Sequence, residues 1–180
     1  MKLYLGCGPG PLHNQHKGVM GDPSEWTFVD YYVREPHIKN WDAATLEEVG
    51  DTTVEKIYTS HLLEHFSHIE LDRILGVWYS KLVDGGEIII NVPDLEWACR
   101  QCIKYAQGQI LDGYFYEFEG EHGLLSIFYG SHSHNGEYHK SGFIKSSLED
   151  LLLRNRFKNI AIEKMVEGHD MGCLLARATK

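Results

Sequence analysis

The residues in this chain best suited to chemistry fall into three groups. The first is Lys2-Leu3-Tyr4-Leu5-Gly6-Cys7-Gly8-Pro9-Gly10, a short apolar run that breaks into a glycine-rich turn. Glycines at alternate positions let the main chain approach a ligand without Cβ atoms in the way. The second is Ser60-His61-Leu62-Leu63-Glu64-His65, which offers imidazoles able to take or give a proton near neutral pH. The third lies late in the chain, where His122, His132, His134 and His139 crowd among aromatic residues. The spacing of His132, His134 and His139 invites a metal reading. No carboxylate or cysteine completes a familiar signature there, so no metal is expected, and the stretch reads as a substrate-facing or solvated loop. Cys99-Arg100-Gln101-Cys102 has the spacing of a redox pair. Both sulfurs, however, share a helical face with Leu95, Ala98, Ile103 and Ala106, so they read as small buried hydrophobes. Cys7 has no basic neighbour and reads as part of its turn.

The elements that must position these groups alternate between strand and helix. Leu3 to Leu5, Thr27 to Val29, His37 to Lys39, Val54 to Thr59 and Glu87 to Val92 read as strands, the last nearly all apolar and β-branched. Between the first two, Pro9 to Trp26 is rich in Gly, Pro and His, so any helix there is short. Ser67-His68-Ile69-Glu70 has capping-box spacing, and behind it Leu71, Ile74, Leu75, Trp78 and Leu82 share one helical face, stopped by Asp84-Gly85-Gly86. Pro93-Asp94 opens a further helix, and Ser146-Ser147-Leu148-Glu149 caps another running through Leu148, Leu151 and Leu152. Ile160 to Lys164 and Cys173 to Ala178 close the chain as strands, joined by Gly168-His169-Asp170. This alternation predicts an α/β domain with a buried, mostly parallel sheet. In such sheets ligands bind beyond the carboxyl ends of the strands, at the switch point near the first strand. The glycine turn and Asp30 both lie at such ends.

At 180 residues the chain is expected to be a single domain, 1–180, with a loop-rich insertion at about 108–142. A net charge of −9 and the lack of a Lys/Arg cluster argue against nonspecific nucleic-acid binding, which rests on neutralising phosphates. No apolar run approaches the length that spans a bilayer, and no signal peptide is recognisable, so a cytoplasmic protein without membrane contact is expected. Four scattered cysteines do not suggest a disulfide framework.

Two ligands could use the glycine turn. A dinucleotide fingerprint needs glycine at position 11, and Pro11 occupies it. Gly6-Cys7-Gly8-Pro9-Gly10 instead resembles motif I of the class I S-adenosylmethionine-dependent methyltransferases, in particular small ones of type 11. Asp30 after the second strand, Asp42 in Asn40-Trp41-Asp42-Ala43, the Ile57 to Phe66 stretch IYTSHLLEHF and the Asp84-Gly85-Gly86 step extend that resemblance. It implies a Rossmann-like, doubly wound fold in three α/β/α layers, with a seven-stranded, mostly parallel sheet and an antiparallel last strand. The cofactor it implies is S-adenosylmethionine, leaving as S-adenosylhomocysteine. That cofactor would lie against Gly6, Cys7, Gly8, Gly10, Asp30, Tyr31, Asp42, Ala43, Ser60 and His61. Asp30 would take the ribose hydroxyls, and Asp42 the adenine amino group. The resemblance also implies methyl transfer to a small-molecule acceptor under the 108–142 stretch, with His61 and His139 as candidate bases. Two departures stand out: Tyr4 replaces the acidic residue often found two positions before the first glycine, and the helix after motif I is cut short by Pro11. Alternatives are a noncatalytic cofactor- or partner-binding module of this fold and, less favoured by Pro11, a nicotinamide-dependent oxidoreductase.

Overall fold

A computed structural model describes residues 1–9, 17–112, 121–132, 136–165 and 172–180. Seven strands form one sheet: β1 (Lys2–Leu5), β2 (Trp26–Val29), β3 (Ile38–Lys39), β4 (Val54–Ser60), β5 (Leu82–Pro93), β6 (Lys158–Lys164) and β7 (Cys173–Thr179). Their order is β3-β2-β1-β4-β5-β7-β6. The first five pair in parallel, and β7 runs antiparallel to both β5 and β6. The expected Rossmann-like sheet with an antiparallel last strand is thus the one observed. Strand order reverses at β1, so the carboxyl ends of β1 and β4 flank the crevice where such sheets bind ligands.

Alternate residues of each strand face opposite sides, and both sides are buried. Leu3, Leu5, Ile57, Ile88 and Ile90 join the larger core. There α2 (His68–Lys81) contributes Leu71, Ile74, Leu75 and Trp78, and α5 (Lys145–Arg154) contributes Leu148, Leu151 and Leu152. The opposite side is aromatic: Tyr4, Trp26, Phe28 and Tyr58 pack together, with the Tyr4 and Tyr58 rings 4.7 Å apart. The four-residue α1 (Lys17–Met20) adds Met20 to that cluster. Nearer the start of the parallel strands the same side turns ionic. Lys2 pairs with Glu25, and Glu87 meets Lys56 at 2.5 Å and Arg177 at 3.5 Å. Opposite charges on neighbouring strands suit a side only thinly covered by helix.

Several local expectations shift. Glu70 accepts from both the amide and the hydroxyl of Ser67, at 2.9 and 2.7 Å, so the first cap is as read. But α2 ends at Lys81, and Asp84-Gly85-Gly86 lies inside β5 as an irregularity, pairing passing from Val54–Leu82 to Lys56–Glu87. Helix α5 begins at Lys145, before the expected Ser146 cap, because the Ser147 hydroxyl accepts from the Ile144 amide at 3.0 Å.

The face of α3 (Leu95–Ala106) is a clearer correction: Ala98 and Gln101 are buried, whereas Cys99 and Ile103 are exposed. Gln101 is drawn inward by Asp112, donating to its carboxylate and accepting from its amide at 3.1 and 2.9 Å. That rotation carries the Cys-x-x-Cys pair out of the core. Within the stretch read as loop, α4 (Glu121–Tyr129) forms and packs on α3. The Gly168-His169-Asp170 connection lies outside the described residues. No helix among the described residues is long and apolar enough to cross a membrane.

Candidate functional site

The glycine turn is built by its neighbours. The amides of Gly6 and Cys7 both donate to the carbonyl of Val29, at 2.9 and 3.2 Å, which folds the end of β1 over the end of β2. Gly6 adopts φ +65°, and a Cβ there would stand 2.8 Å from Leu62 Cδ1, so both conformation and space favour glycine. Asp30 then ties this turn to the next one. Its Oδ2 accepts from the Gly8 amide at 2.9 Å, and its Oδ1 from the amides of Tyr32 and Val33 at 2.9 and 3.0 Å. A carboxylate offers roughly four acceptor sites, so about one remains for a ligand.

Asp42 is exposed, and its Oδ1 accepts from the Ala44 amide at 2.8 Å, capping the turn that follows β3. The buried Ala43 is held from behind, its carbonyl accepting from the Trp78 indole at 2.7 Å. Cys7 is buried beside the turn. Burial first, and then the nearby Asp30 charge, push its thiol up to about 12, so it stays a neutral thiol at physiological pH.

At the end of β4 the chain turns sharply through His61, whose φ is +52°. For a residue other than glycine this conformation is uncommon and strained, a frequent mark of functional sites. The His61 amide donates to the Asn91 carbonyl at 2.9 Å, while its ring lies between two partners. Nδ1 is 3.3 Å from Oε1 of Glu64, and Nε2 is 3.7 Å from Sγ of Cys173. Burial opposes protonation of His61, but contact with Cys173 and Glu64, together with the Glu64 charge, outweighs it and holds the imidazole well above its usual range. Burial likewise opposes ionisation of Glu64, and the contact and charge of His61, with that of His65, outweigh it and hold the carboxyl below its usual range.

These residues converge on one cleft of about 360 Å³ at the carboxyl ends of β1, β2 and β4. Of the residues singled out from sequence, Gly6, Gly8, Asp30, Tyr31, Asp42, Ala43 and His61 line it. Ser60 does not: it is buried, and its hydroxyl accepts from the Asn91 amide group at 3.2 Å. Cys7 also lies off the wall, and Gly10 lies outside the described residues. His139 does not line the cleft either. It is half-buried behind His65, the two rings edge-to-face at 4.9 Å, and burial lowers its pKa. Instead of joining His132, whose Nε2 donates to Tyr129 O, His139 meets Glu64 and His65. His134 and the His122 side chain lie outside the described residues. Tyr4 points away from the cleft into the aromatic core.

The wall extends beyond the residues expected to hold the cofactor: Tyr32, Val33, Leu62, Phe66, Gly136, Glu137 and Lys140 also line it. Tyr32 extends the Asp30-Tyr31 motif and could have been found from it, its ring edge-on to that of Tyr31 at 5.2 Å. Glu137 arrives through tertiary contacts with no local signal. Gly130 makes that approach possible, since a Cβ there would fall 1.7 Å from the Glu137 carbonyl oxygen.

No protein-family model and no curated protein sequence matches the chain. Solved structures do. An S-adenosylmethionine-dependent methyltransferase of Archaeoglobus fulgidus aligns over 99% of this chain and 85% of its own, at 16% identity and a TM-score of 0.61. One of Methanosarcina mazei aligns over 99% and 91%, at 15% identity and a TM-score of 0.63. The 1,6-didemethyltoxoflavin-N1-methyltransferase of Burkholderia thailandensis, solved with 1,6-didemethyltoxoflavin and S-adenosylhomocysteine, aligns over 99% and 70%, at 15% identity and a TM-score of 0.61. By strand order, by the antiparallel last strand and by these likenesses, the chain has the class I S-adenosylmethionine-dependent methyltransferase fold.

Proposed function

We propose that this protein transfers a methyl group from S-adenosylmethionine to a small-molecule acceptor. The observation that carries the reading is the convergence of the glycine turn, Asp30, the Asp42–Ala43 turn and His61 on one cleft, at the switch point of this fold. The cleft suits the cofactor. Gly6 leaves room beside Leu62 that a Cβ would fill, Asp30 keeps acceptor capacity for a ribose hydroxyl, and Tyr31 and Tyr32 offer exposed rings at the rim. When bound, the sulfonium supplies an already activated methyl group.

The protein's own work is then to align the acceptor and to manage its proton. His61 is our candidate base for that proton: it lines the cleft, and the pairing with Glu64 that raises its pKa makes its unprotonated form the stronger base and stabilises the imidazolium formed. His139, set behind His65, supports this region without facing the cleft. Acidic net charge favours a small acceptor over a nucleic acid, and the Burkholderia neighbour offers a precedent in a small heterocycle.

Calorimetric titration of the full chain with S-adenosylhomocysteine tests the reading, with NAD as the comparison. Saturable heat with the first and none with the second is expected. Heat with NAD alone would replace this reading with an oxidoreductase, and no heat with S-adenosylhomocysteine would end it.

A further inference from the structure

We infer that Glu64, His65 and His139 form a binding site for a divalent transition-metal ion at the histidine end of the cleft. One ligand atom from each lies within 4.8 Å of the others. Ligands at about 2.0–2.2 Å from a single ion stand up to roughly 4.4 Å apart, so small side-chain rotations would close the set.

Both imidazoles carry the kind of outer hydrogen bond that metal-ligating histidines usually make. Nδ1 of His65 donates to the Tyr138 carbonyl at 3.2 Å, and Nδ1 of His139 to the Ile127 carbonyl at 2.8 Å. A carbonyl can only accept, so each Nδ1 carries a proton, which leaves Nε2 as the nitrogen available to a metal. The third ligand is a carboxylate whose position is otherwise costly. Glu64 is 1% exposed, and neither of its oxygens receives a properly directed hydrogen bond from the described residues, His61 Nδ1 standing off at 3.3 Å. The His61 charge compensates the lost hydration, but both carboxylate oxygens still lack a directed partner, which a bound cation would supply.

The site is also held together by main chain. The amides of Lys140 and Ser141 donate to the Glu64 carbonyl at 2.7 and 3.1 Å, and the His139 amide donates to Tyr129 O at 3.1 Å. Glu64 and His139 therefore remain neighbours whatever occupies the cleft.

Two nitrogens and one carboxylate suit zinc, iron(II), cobalt or manganese better than calcium or magnesium, which prefer oxygen ligands. Three protein ligands leave coordination positions open, and His61 and His65 form the cleft wall beside them. Resting on the methyl-transfer reading, this points to a hydroxyl-bearing acceptor. Coordination acidifies the hydroxyl, and its proton passes to His61 on the cleft wall. The oxygen then bonds the methyl carbon as the carbon–sulfur bond of the sulfonium breaks, with its electron pair staying on sulfur.

The test uses the full chain, stripped with a chelator, dialysed and titrated with Co²⁺ while its visible d–d bands are followed. Saturation at one ion per chain is expected, with affinity falling at least about tenfold in Glu64→Gln, His65→Ala and His139→Ala, and unchanged in His132→Ala. Circular dichroism shows which variants fold, and two exposed or half-exposed histidine sites guard against a misfolded Glu64→Gln. No stoichiometric Co²⁺ binding by the wild type, or equal binding by folded His65→Ala and His139→Ala, would overturn the site and leave Glu64 a plain ion-pair partner of His61. Calorimetry with S-adenosylhomocysteine is read separately: its failure removes the methyl-transfer reading and the acceptor assignment but leaves a Co²⁺ site standing.

Discussion

Asparagine at position 30 separates two roles that the wild-type carboxylate performs together. Asp30 holds three backbone amides: Gly8 on one oxygen, Tyr32 and Val33 on the other. Asp30→Asn keeps one carbonyl oxygen, which can still serve Tyr32 and Val33, but places an amide group against the Gly8 N–H, where two donors would face each other. The loss of that bond, and of the charge that strengthens the other two, is expected to cost about 1–3 kcal/mol of stability. Binding should suffer separately. The free acceptor site on Asp30 allows one charge-assisted bond to a ribose hydroxyl, worth about 1.5–3 kcal/mol. At 1.4 kcal/mol per factor of ten, the Kd for S-adenosylhomocysteine should rise by about 10–100-fold. Calorimetry gives the Kd, and a urea titration the stability. A Kd within about threefold of wild type, with stability reduced as expected, would show that Asp30 only staples two turns and that the cofactor geometry is wrong.

Two further outcomes follow from the structure. Trp78→Phe removes a fully buried indole and the bond to the Ala43 carbonyl, and should cost about 2–4 kcal/mol in denaturant unfolding; a loss under about 1 kcal/mol would mean that α2 is not what holds the Asp42–Ala43 turn. Acid should destabilise the fold in a defined window, because hydrogen bonds from Ser67, Lys81, Arg154 and Lys164 depress the pKa values of Glu70, Asp51, Asp72 and Glu96 from 4.5 or 3.8. Depressed carboxylates contribute stability that is complete above their unfolded values and is lost as pH falls through the folded ones. The thermal midpoint should therefore be insensitive to these groups from neutrality to about pH 5 and fall below it, less so in high salt; a fall already under way at pH 6 would assign acid sensitivity to other groups.

The strands and the cofactor side of the site were legible in sequence because their signals are local. β1 and the Ile88–Ile90 part of β5 are apolar runs, and the glycine turn and Asp30 sit directly at strand ends. The capping residues of α2 likewise lie within one turn of each other. What escaped were features decided at a distance. The apolar residues of α3 describe a plausible core face, yet Asp112 turns Gln101 inward and the cysteines outward. Helix α4 carries apolar residues around much of its circumference, so it shows little of the one-sided pattern that reveals a surface helix. His139 was visible as a histidine, but its neighbours along the chain pointed to His132 and His134. Its partners Glu64 and His65 come from the far side of β5, and no spacing rule connects them.

The attachment of that late segment has a consequence for how such a protein can diversify. The segment carrying Glu137, His139 and Lys140 is fastened to the turn after β4 through the amides of Lys140 and Ser141 and the carbonyl of Glu64. These bonds use atoms that every residue other than proline possesses. Side chains of the segment that face the cleft, Glu137 and Lys140, can therefore be exchanged, altering what the cleft admits, while the joint that brings the segment to the cleft survives each exchange. Such a joint leaves the wall facing an acceptor free to vary while the glycine turn, which needs Gly6 at φ +65°, keeps its shape.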